Sequence, residues 1–161
     1  MTHFNRYILS PVGWLELKST KNALTAIRFV RKAEPNSMEQ PPILEQTQLQ
    51  LEEYFSGRRK DFNLQLNPEG TVFQQKTWEL VKQVRFGETA SYLDIAIKSG
   101  SNKNTRAVGL ANGKNPIPIV IPCHRIIGNS GRLTGYSGGI ERKRWLLNHE
   151  YTNTVSKDRL F

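Results

Sequence analysis

The 161-residue chain contains 37% hydrophobic and 23% charged residues, which is typical of a soluble globular protein with one or two domains and excludes a disordered chain. No apolar run approaches the ~18 residues of a membrane helix, and the first twenty residues lack a signal-peptide pattern, so we expect a cytoplasmic protein. The single cysteine excludes an internal disulfide. No Cys/His cluster has zinc-site spacing, and neither a metal nor a cofactor is expected.

Positive charge is concentrated in the second half of the chain. Residues 1–70 carry nine Lys/Arg against eight Asp/Glu, whereas residues 71–161 carry fourteen against six, within a total net charge of +9. A basic surface suits a polyanion such as nucleic acid, because phosphate contacts release counterions. A basic face that is merely solvated would give the same counts.

The first half of the chain predicts a small antiparallel sheet with one helix. Three apolar stretches separated by turn residues form the expected β-meander; they lie at 7–9, 14–17 and 24–30. Helical spacing then recurs in four residues before a stop at Gly57; they are Leu44, Thr47, Leu51 and Phe55. Alternation at 62–66 predicts a further strand. The turn at 67–70 is the expected boundary between a domain of residues 1–70 and one of residues 71–161.

Beyond residue 70 the pattern turns helical. Thr71 and Gln74 have the spacing of a capping box, and an apolar stripe follows that ends near Gly87. The members of that stripe are Phe73, Thr77, Leu80, Val81 and Val84. We therefore predict one amphipathic helix directly after the boundary.

Two shorter helices are predicted next, at 91–99 and 104–112, each followed by a glycine. The short turn between them and the small Ala96 are typical of a helix-turn-helix that binds DNA, although short helical pairs also fill many cores. The second helix carries Arg106 and then a series of small residues, namely Ala107, Gly109, Ala111 and Gly113. Small residues suit close approach to a DNA groove and tight helix packing equally well.

The only cysteine, Cys123, ends the apolar run IPIVIP, and His124 and Arg125 follow it directly. A thiol in an apolar wall has a raised pKa unless its thiolate is stabilised, and only the thiolate is a good nucleophile. Neighbours in an extended segment point to opposite faces, so we expect His124 to act through a water, with Glu150 fixing its tautomer. The alternative is a cysteine that only packs as a small hydrophobe.

Several short motifs surround Cys123 in a fixed order. They are RAVG at 106–109, NP at 115–116, PCHR at 122–125, TGYSGG at 134–139 and WLLNHE at 145–150. This set resembles the O6-alkylguanine-DNA alkyltransferases, also called methylated-DNA-protein-cysteine methyltransferases, densely over about residues 71–150. The resemblance implies an α+β fold. A small N-terminal α/β domain, ribonuclease-H-like with an antiparallel sheet, precedes a mostly helical domain with a winged helix-turn-helix-like DNA-binding motif.

The resemblance implies a DNA repair protein that flips O6-alkylguanine, and as a further candidate O4-alkylthymine, out of duplex DNA. The alkyl group passes irreversibly to Cys123, so each molecule acts once. By the same resemblance the protein is a monomer that binds double-stranded DNA through the minor groove.

Site residues are carried over from the family motif by motif. Catalytic roles fall on Cys123 as nucleophile, His124 as base through an ordered water, Glu150 as its orienting carboxylate, Asn115 beside the thiol and Tyr92 on the flipped base. The expected DNA contacts are Arg106, which fills the vacated stack, with Thr105, Ala107, Gly109 and Arg125. The expected substrate contacts are Pro118, Tyr136, Ser137 near the O6 atom, and Gly138.

This chain departs from the family pattern at two points. Asn104 and Thr105 precede Arg106 where the family often has alanines, and the single cysteine leaves no zinc site of the kind some relatives carry. Two other function classes stay open on the residues alone. One is a DNA-binding module with a silent thiol, and the other is a Cys-His hydrolase, for which we find no separate oxyanion motif.

Overall fold

The computed structural model describes residues 2–154 and divides between residues 69 and 70 into two compact units. None of the helices in that range is long and apolar enough to cross a bilayer. Residues 155–161 lie outside the described part of the chain.

The first unit is a three-stranded antiparallel sheet with one helix. The strands are β1 (Phe4–Ser10), β2 (Gly13–Ser19) and β3 (Leu24–Val30), in the order β1-β2-β3, and the helix is α1 (Pro42–Phe55). Its core is made of apolar side chains from the sheet and α1, including Leu15, Leu17, Ile27, Leu44 and Leu51. The predicted meander and helix are confirmed.

The strand predicted at 62–66 is wrong. Only an isolated bridge joins Leu66 to Leu24, through bonds from Leu24 N to Gln65 O (2.9 Å) and from Asn67 N to Leu24 O (2.8 Å). The side chain of Gln50 hydrogen-bonds both backbone groups of Asn63: its Nε2 donates to Asn63 O at 3.0 Å, and its Oε1 accepts from Asn63 N at 2.9 Å. Because these groups are satisfied by a side chain of α1, the segment forms no ladder there despite its alternating pattern.

The second unit is mainly helical. Its helices are α2 (Val72–Lys82), α3 (Tyr92–Ser99), α4 (Thr105–Gly113) and α5 (Ile140–Thr152), and two-residue strands β4 (Ala90–Ser91) and β5 (Ile126–Ile127) pair in parallel. The capping box of Thr71 and Gln74 is present. The stripe of α2 is centred differently from the prediction, because Trp78 is buried and its Nε1 donates to Ala111 O of α4 at 2.8 Å.

The turn between α3 and α4 is fixed by polar contacts. Ser91 caps α3 as predicted, and Gly100 ends it at a φ of 125° that favours glycine. Asn104 Nδ2 donates to Ser99 Oγ at 2.9 Å, and Lys76 Nζ donates to Ser99 O at 2.8 Å. Helix α4 lies one residue later than predicted, so Gly113 is its last residue. These contacts hold the start of α4, and with it Arg106, in one position relative to α2.

Candidate active site

Cys123 is presented by a constrained loop rather than by an extended strand. Ile119 has a φ of 73°, a conformation that a β-branched residue rarely adopts. Asn115 holds the loop from inside, donating from Nδ2 to Ile121 O at 2.8 Å and accepting from Ile117 N at 2.9 Å. Strain of this kind persists only where neighbouring contacts determine the backbone, and it is common at functional sites.

The segment from Cys123 to Arg125 forms a single 3-10 turn, and the expectation of an extended segment is wrong. The Cys123 amide donates back to Ile121 O at 2.7 Å, which closes a tight turn around Pro122. Asn112 Nδ2 donates to Cys123 O at 3.2 Å. Helical geometry therefore decides where His124 and Arg125 point, and the argument from opposite faces of a strand does not apply.

Glu150 is the centre of a buried charge network. One carboxylate oxygen, Oε2, lies 2.7 Å from His124 Nε2, and the other accepts from Arg125 Nε at 2.8 Å and from the Gly87 amide at 3.2 Å. Burial alone would raise the pKa of Glu150, yet His124 and Arg125 lower it well below its usual range. The carboxylate is therefore ionised at neutral pH.

The ionised Glu150 fixes the tautomer of His124. Burial lowers the pKa of His124, so the imidazole is neutral at neutral pH, and its one proton belongs on Nε2, facing the carboxylate. The other nitrogen, Nδ1, is buried and has no hydrogen-bond partner within residues 2–154. His124 Nδ1 is thus an acceptor that no described residue uses, one residue from the only cysteine.

Arg125 does not have the DNA-facing position expected for it. Its guanidinium is buried, bonded to Glu150 through Nε (2.8 Å) and Nη2 (3.1 Å), and donates from Nη1 to Val84 O at 2.7 Å. It also lies 5.8 Å from the centre of the Phe86 ring. All three nitrogens of the guanidinium are therefore hydrogen-bonded inside the protein. Arg125 positions Glu150, which corrects the prediction that Arg125 contacts DNA.

The thiol of Cys123 is buried, and burial raises its pKa to about 11, while a hydrogen bond from Asn115 and the charge of Lys143 act in the opposite direction. The group is protonated at neutral pH and needs a base to become a nucleophile. The acceptor on His124 suits removal of the thiol proton, and the Asn115 hydrogen bond and the Lys143 charge favour the thiolate that results.

Lys143 was not predicted as a site residue. Its side chain is fully buried in α5, and Nζ donates to Ile126 O at 2.6 Å and to Thr134 O at 2.9 Å. Burial lowers its pKa to about 8, and the nearby Cys123 acts against that shift. Helical spacing in the sequence could have revealed it, because Lys143 falls on the same side of α5 as three other buried residues; they are Leu146, Leu147 and Glu150.

The glycine-rich loop closes around the same centre. Tyr92 Oη donates to Thr134 O at 3.2 Å, and Gly135, with a φ of 62°, passes so close that a Cβ would lie 3.4 Å from that hydroxyl. Burial raises the pKa of Tyr136, and the charge of Cys123 adds to the shift, which places this ring near the thiol. Pro118 and Gly138 are buried as well, whereas Ser137 is exposed.

Helix α4 separates its small residues into two groups. Ala111 is buried, and a Cβ on Gly109 would contact the Tyr92 ring at 3.8 Å, so both serve packing inside the unit. Arg106 and Ala107 are exposed, and Thr105 is half-buried. Tight packing therefore accounts for Gly109 and Ala111, whereas the approach of the exposed part of the helix to a DNA groove stays a prediction.

Models of one family match both units. The 6-O-methylguanine DNA methyltransferase ribonuclease-like domain matches residues 4–68, and the DNA binding domain of the same family matches residues 72–152. The chain belongs to this family. Both the resemblance drawn from the motifs and the predicted fold class are confirmed, and the chain is a DNA-binding DNA repair methyltransferase.

Relatives in this family are similar over nearly their whole length. The methylated-DNA-protein-cysteine methyltransferase of Mycobacterium tuberculosis H37Rv is 43% identical, with 100% of this chain and 99% of that protein covered. The corresponding protein of Methanosarcina acetivorans is 43% identical over 88% of this chain and 94% of its own. A crystal structure of M. tuberculosis OGT in complex with DNA superposes with a TM-score of 0.84 at 42% identity, covering 95% of this chain and 96% of that one.

The structure of this family member brings half of the fourteen sequence-predicted site residues to one centre. They are Tyr92, Asn115, Cys123, His124, Arg125, Tyr136 and Glu150, and Thr134 and Lys143 join them there. Arg106, Thr105 and Ala107 lie on the accessible side of α4 instead. The site thus has a buried chemical centre and a separate exposed helix.

Proposed function

We propose that Cys123 takes the alkyl group from an O6-alkylguanine that has been flipped out of duplex DNA, and that each molecule does so once. The observation that carries this proposal is the state of His124. Its Nε2 faces an ionised carboxylate at 2.7 Å, its Nδ1 is without a partner in the described residues, and it directly follows the only cysteine in the sequence. That arrangement suits a general base for a thiol whose pKa is about 11.

The transfer is a displacement at the alkyl carbon. His124 Nδ1 takes the thiol proton through one water, and the sulfur forms a bond to the carbon while the bond from that carbon to O6 breaks. The electron pair of the broken bond goes to the guanine, and the Tyr92 hydroxyl donates a proton that neutralises it. The proton that His124 took from the thiol then passes through water to the Tyr92 oxygen, so both side chains return to their starting state. A thioether results. The carbon–sulfur bond of a thioether resists hydrolysis at neutral pH, so Cys123 stays alkylated and each molecule acts once.

We assign residues 71–161 as the DNA-binding and alkyl-acceptor domain. Arg106 is the long cation of the exposed side of α4 and fills the space that the flipped base leaves, with Thr105 and Ala107 against the minor groove. Tyr136 is the wall of the base pocket, and Ser137 reaches O6 when the loop closes. Monomeric state, O4-alkylthymine repair and cytoplasmic location stay predictions.

Replacement of Cys123 tests this function directly. We expect Cys123→Ala to lose all methyl transfer from a duplex that contains one O6-methylguanine labelled in its methyl group, while it binds that duplex as the wild type does. A wild-type protein that binds the lesion without taking up label would instead be a lesion-binding module, and the proposal would fall. Steady turnover of a thioester by the wild type would indicate a hydrolase.

A further inference from the structure

One large apolar side chain on α4 does nothing for the packing of its unit. Leu110 is 64% exposed, whereas Val108 and Ala111, which pack the helix, are buried. Leu110 lies four residues after Arg106 and three after Ala107, so helical geometry places the three on one side. We call the solvent-facing row of Arg106, Ala107, Leu110, Gly113 and Lys114 the outer row of α4.

The charge around the outer row favours one kind of occupant. Arg106 and Lys114 stand at its two ends, and Lys103 is exposed in the turn before it. The sequence contains no Asp or Glu between Asp94 and Glu141. Cations on both sides of an apolar centre match a DNA groove, whose edges carry phosphates and whose walls are sugars. An acidic or apolar protein surface would match only one of the two features.

The size of Leu110 matters in a narrow groove. A helix with its side chains is about 10 Å across, and the minor groove of B-form DNA is about 6 Å wide, so only the outermost side chains of a helix can enter it unless it widens. Ala107 and Gly113, on either side of Leu110 in the outer row, are small. Leu110 is therefore the apolar group that projects furthest near the middle of the row.

We propose that Leu110 is an apolar wedge that enters the minor groove one helical turn from Arg106 and holds the groove open. This proposal rests on the proposed function, which sets α4 against DNA. Apolar side chains inserted in this groove partly unstack and bend the duplex. Leu110 would then add affinity that does not depend on salt and would ease extrusion of the base beside Arg106.

The experiment measures affinity for an undamaged duplex over a range of salt concentrations. We expect Leu110→Ala to bind about five- to tenfold more weakly with an unchanged salt slope, because apolar carbons leave the contact without any loss of phosphate contacts. Leu110→Met, which keeps an apolar side chain, should bind within about twofold of the wild type. Ile97→Ala is the matched control: Ile97 is 58% exposed on α3, and its replacement should change nothing.

Reaction with free O6-methylguanine base distinguishes a failure of the Leu110 wedge from a failure of the proposed alkyl transfer. Leu110→Ala should react with the free base as the wild type does, since no groove is involved, and should repair the duplex lesion more slowly. An unchanged affinity in Leu110→Ala, or an equal loss on free base and duplex, would overturn the wedge. A wild type that takes no alkyl group from either substrate would contradict the proposed function itself.

Discussion

The two units each bury a glutamate among hydrogen-bond donors, and the proposed function gives a chemical role to only one of them. Glu16 of β2 is 6% exposed and accepts from Asn5 (3.2 Å), Tyr7 (3.1 Å) and Arg28 (3.4 Å) on neighbouring strands. Glu150 of α5 is 1% exposed and accepts from His124, Arg125 and the Gly87 amide.

The difference lies in what stands behind the donors. The guanidinium on Glu16 belongs to Arg28, whose side chain is 62% exposed, so that contact ends in solvent. The imidazole on Glu150 has a second nitrogen that no described residue satisfies, and the residue before it is a cysteine with a buried thiol. Burial and hydrogen bonding alone therefore do not mark a catalytic carboxylate. On the proposed function, Glu150 differs from Glu16 because it binds an imidazole whose second nitrogen no described residue satisfies.

Removing the charge of Glu150 should have the largest effect. We expect Glu150→Gln to slow alkyl transfer by about 10²- to 10³-fold, because His124 loses the contact that keeps its proton on Nε2. Stability should fall by about 3–5 kcal/mol, since Arg125 becomes a buried charge without a counter-ion. Single-turnover rates and urea unfolding measure the two effects. A variant that transfers at the wild-type rate would show that Glu150, like Glu16, has no part in the chemistry.

The pH dependence of transfer should report His124. Because its folded pKa is lowered below 6.5, we expect a flat rate at neutral pH that declines only at acidic pH, as Nδ1 becomes protonated. The unfolded chain binds more protons below pH 6.5, so stability also falls as pH decreases through that range. Protonation of Glu150, whose folded pKa is lowered from 4.5, should add a second loss below pH 4.5. A rate that rises as the pH falls towards 5 would contradict His124 as base.

Lys143 should have an intermediate effect. We expect Lys143→Met to lower transfer by about tenfold, since the thiolate loses a nearby cation and Thr134 loses a donor that ties the loop to α5. The apparent pKa of Cys123, followed by thiol alkylation, should rise further. Arg144→Gln on the exposed side of α5 is the control, and an equal change in both variants would mean that the effect is one of surface charge.

Glu16→Gln should have the smallest effect and completes the comparison. An amide still accepts from Asn5 and Tyr7, and Arg28 can turn to solvent, so we expect a loss of about 1 kcal/mol in unfolding free energy. Transfer to Cys123 should be unchanged in single-turnover assays. A large loss of transfer would show that this carboxylate, too, serves the chemistry.

Local signals in the sequence predicted the helices well because caps and breakers act within a few residues. The capping box of Thr71 and Gln74 begins α2 as expected, and Ser91 and Gly100 mark the start and the end of α3. The segment 62–66 failed because the side chain of Gln50, distant in sequence, takes its backbone groups. Tertiary contacts of this kind leave no mark on local alternation.

The sequence predicted which chemical groups form the candidate site but not the directions in which their side chains point. The Cys123 motif pointed to the thiol, the imidazole and Glu150, whereas the inward turn of Arg125 depends on a 3-10 turn that no spacing pattern indicates. Lys143 was hidden by its charged neighbours, although it shares a helical stripe with Glu150. Side-chain direction at an irregular loop is a property of the packed structure.

Intact-mass measurement followed by peptide mapping tests the central claim most directly. The protein is mixed with an excess of a duplex that contains one O6-methylguanine. We predict that the mass increases by one methylene, that the increase stops at one per chain, and that the modified peptide carries it on Cys123. An unmodified Cys123 in a folded, DNA-bound protein, or a methyl group on any other residue, would contradict the account.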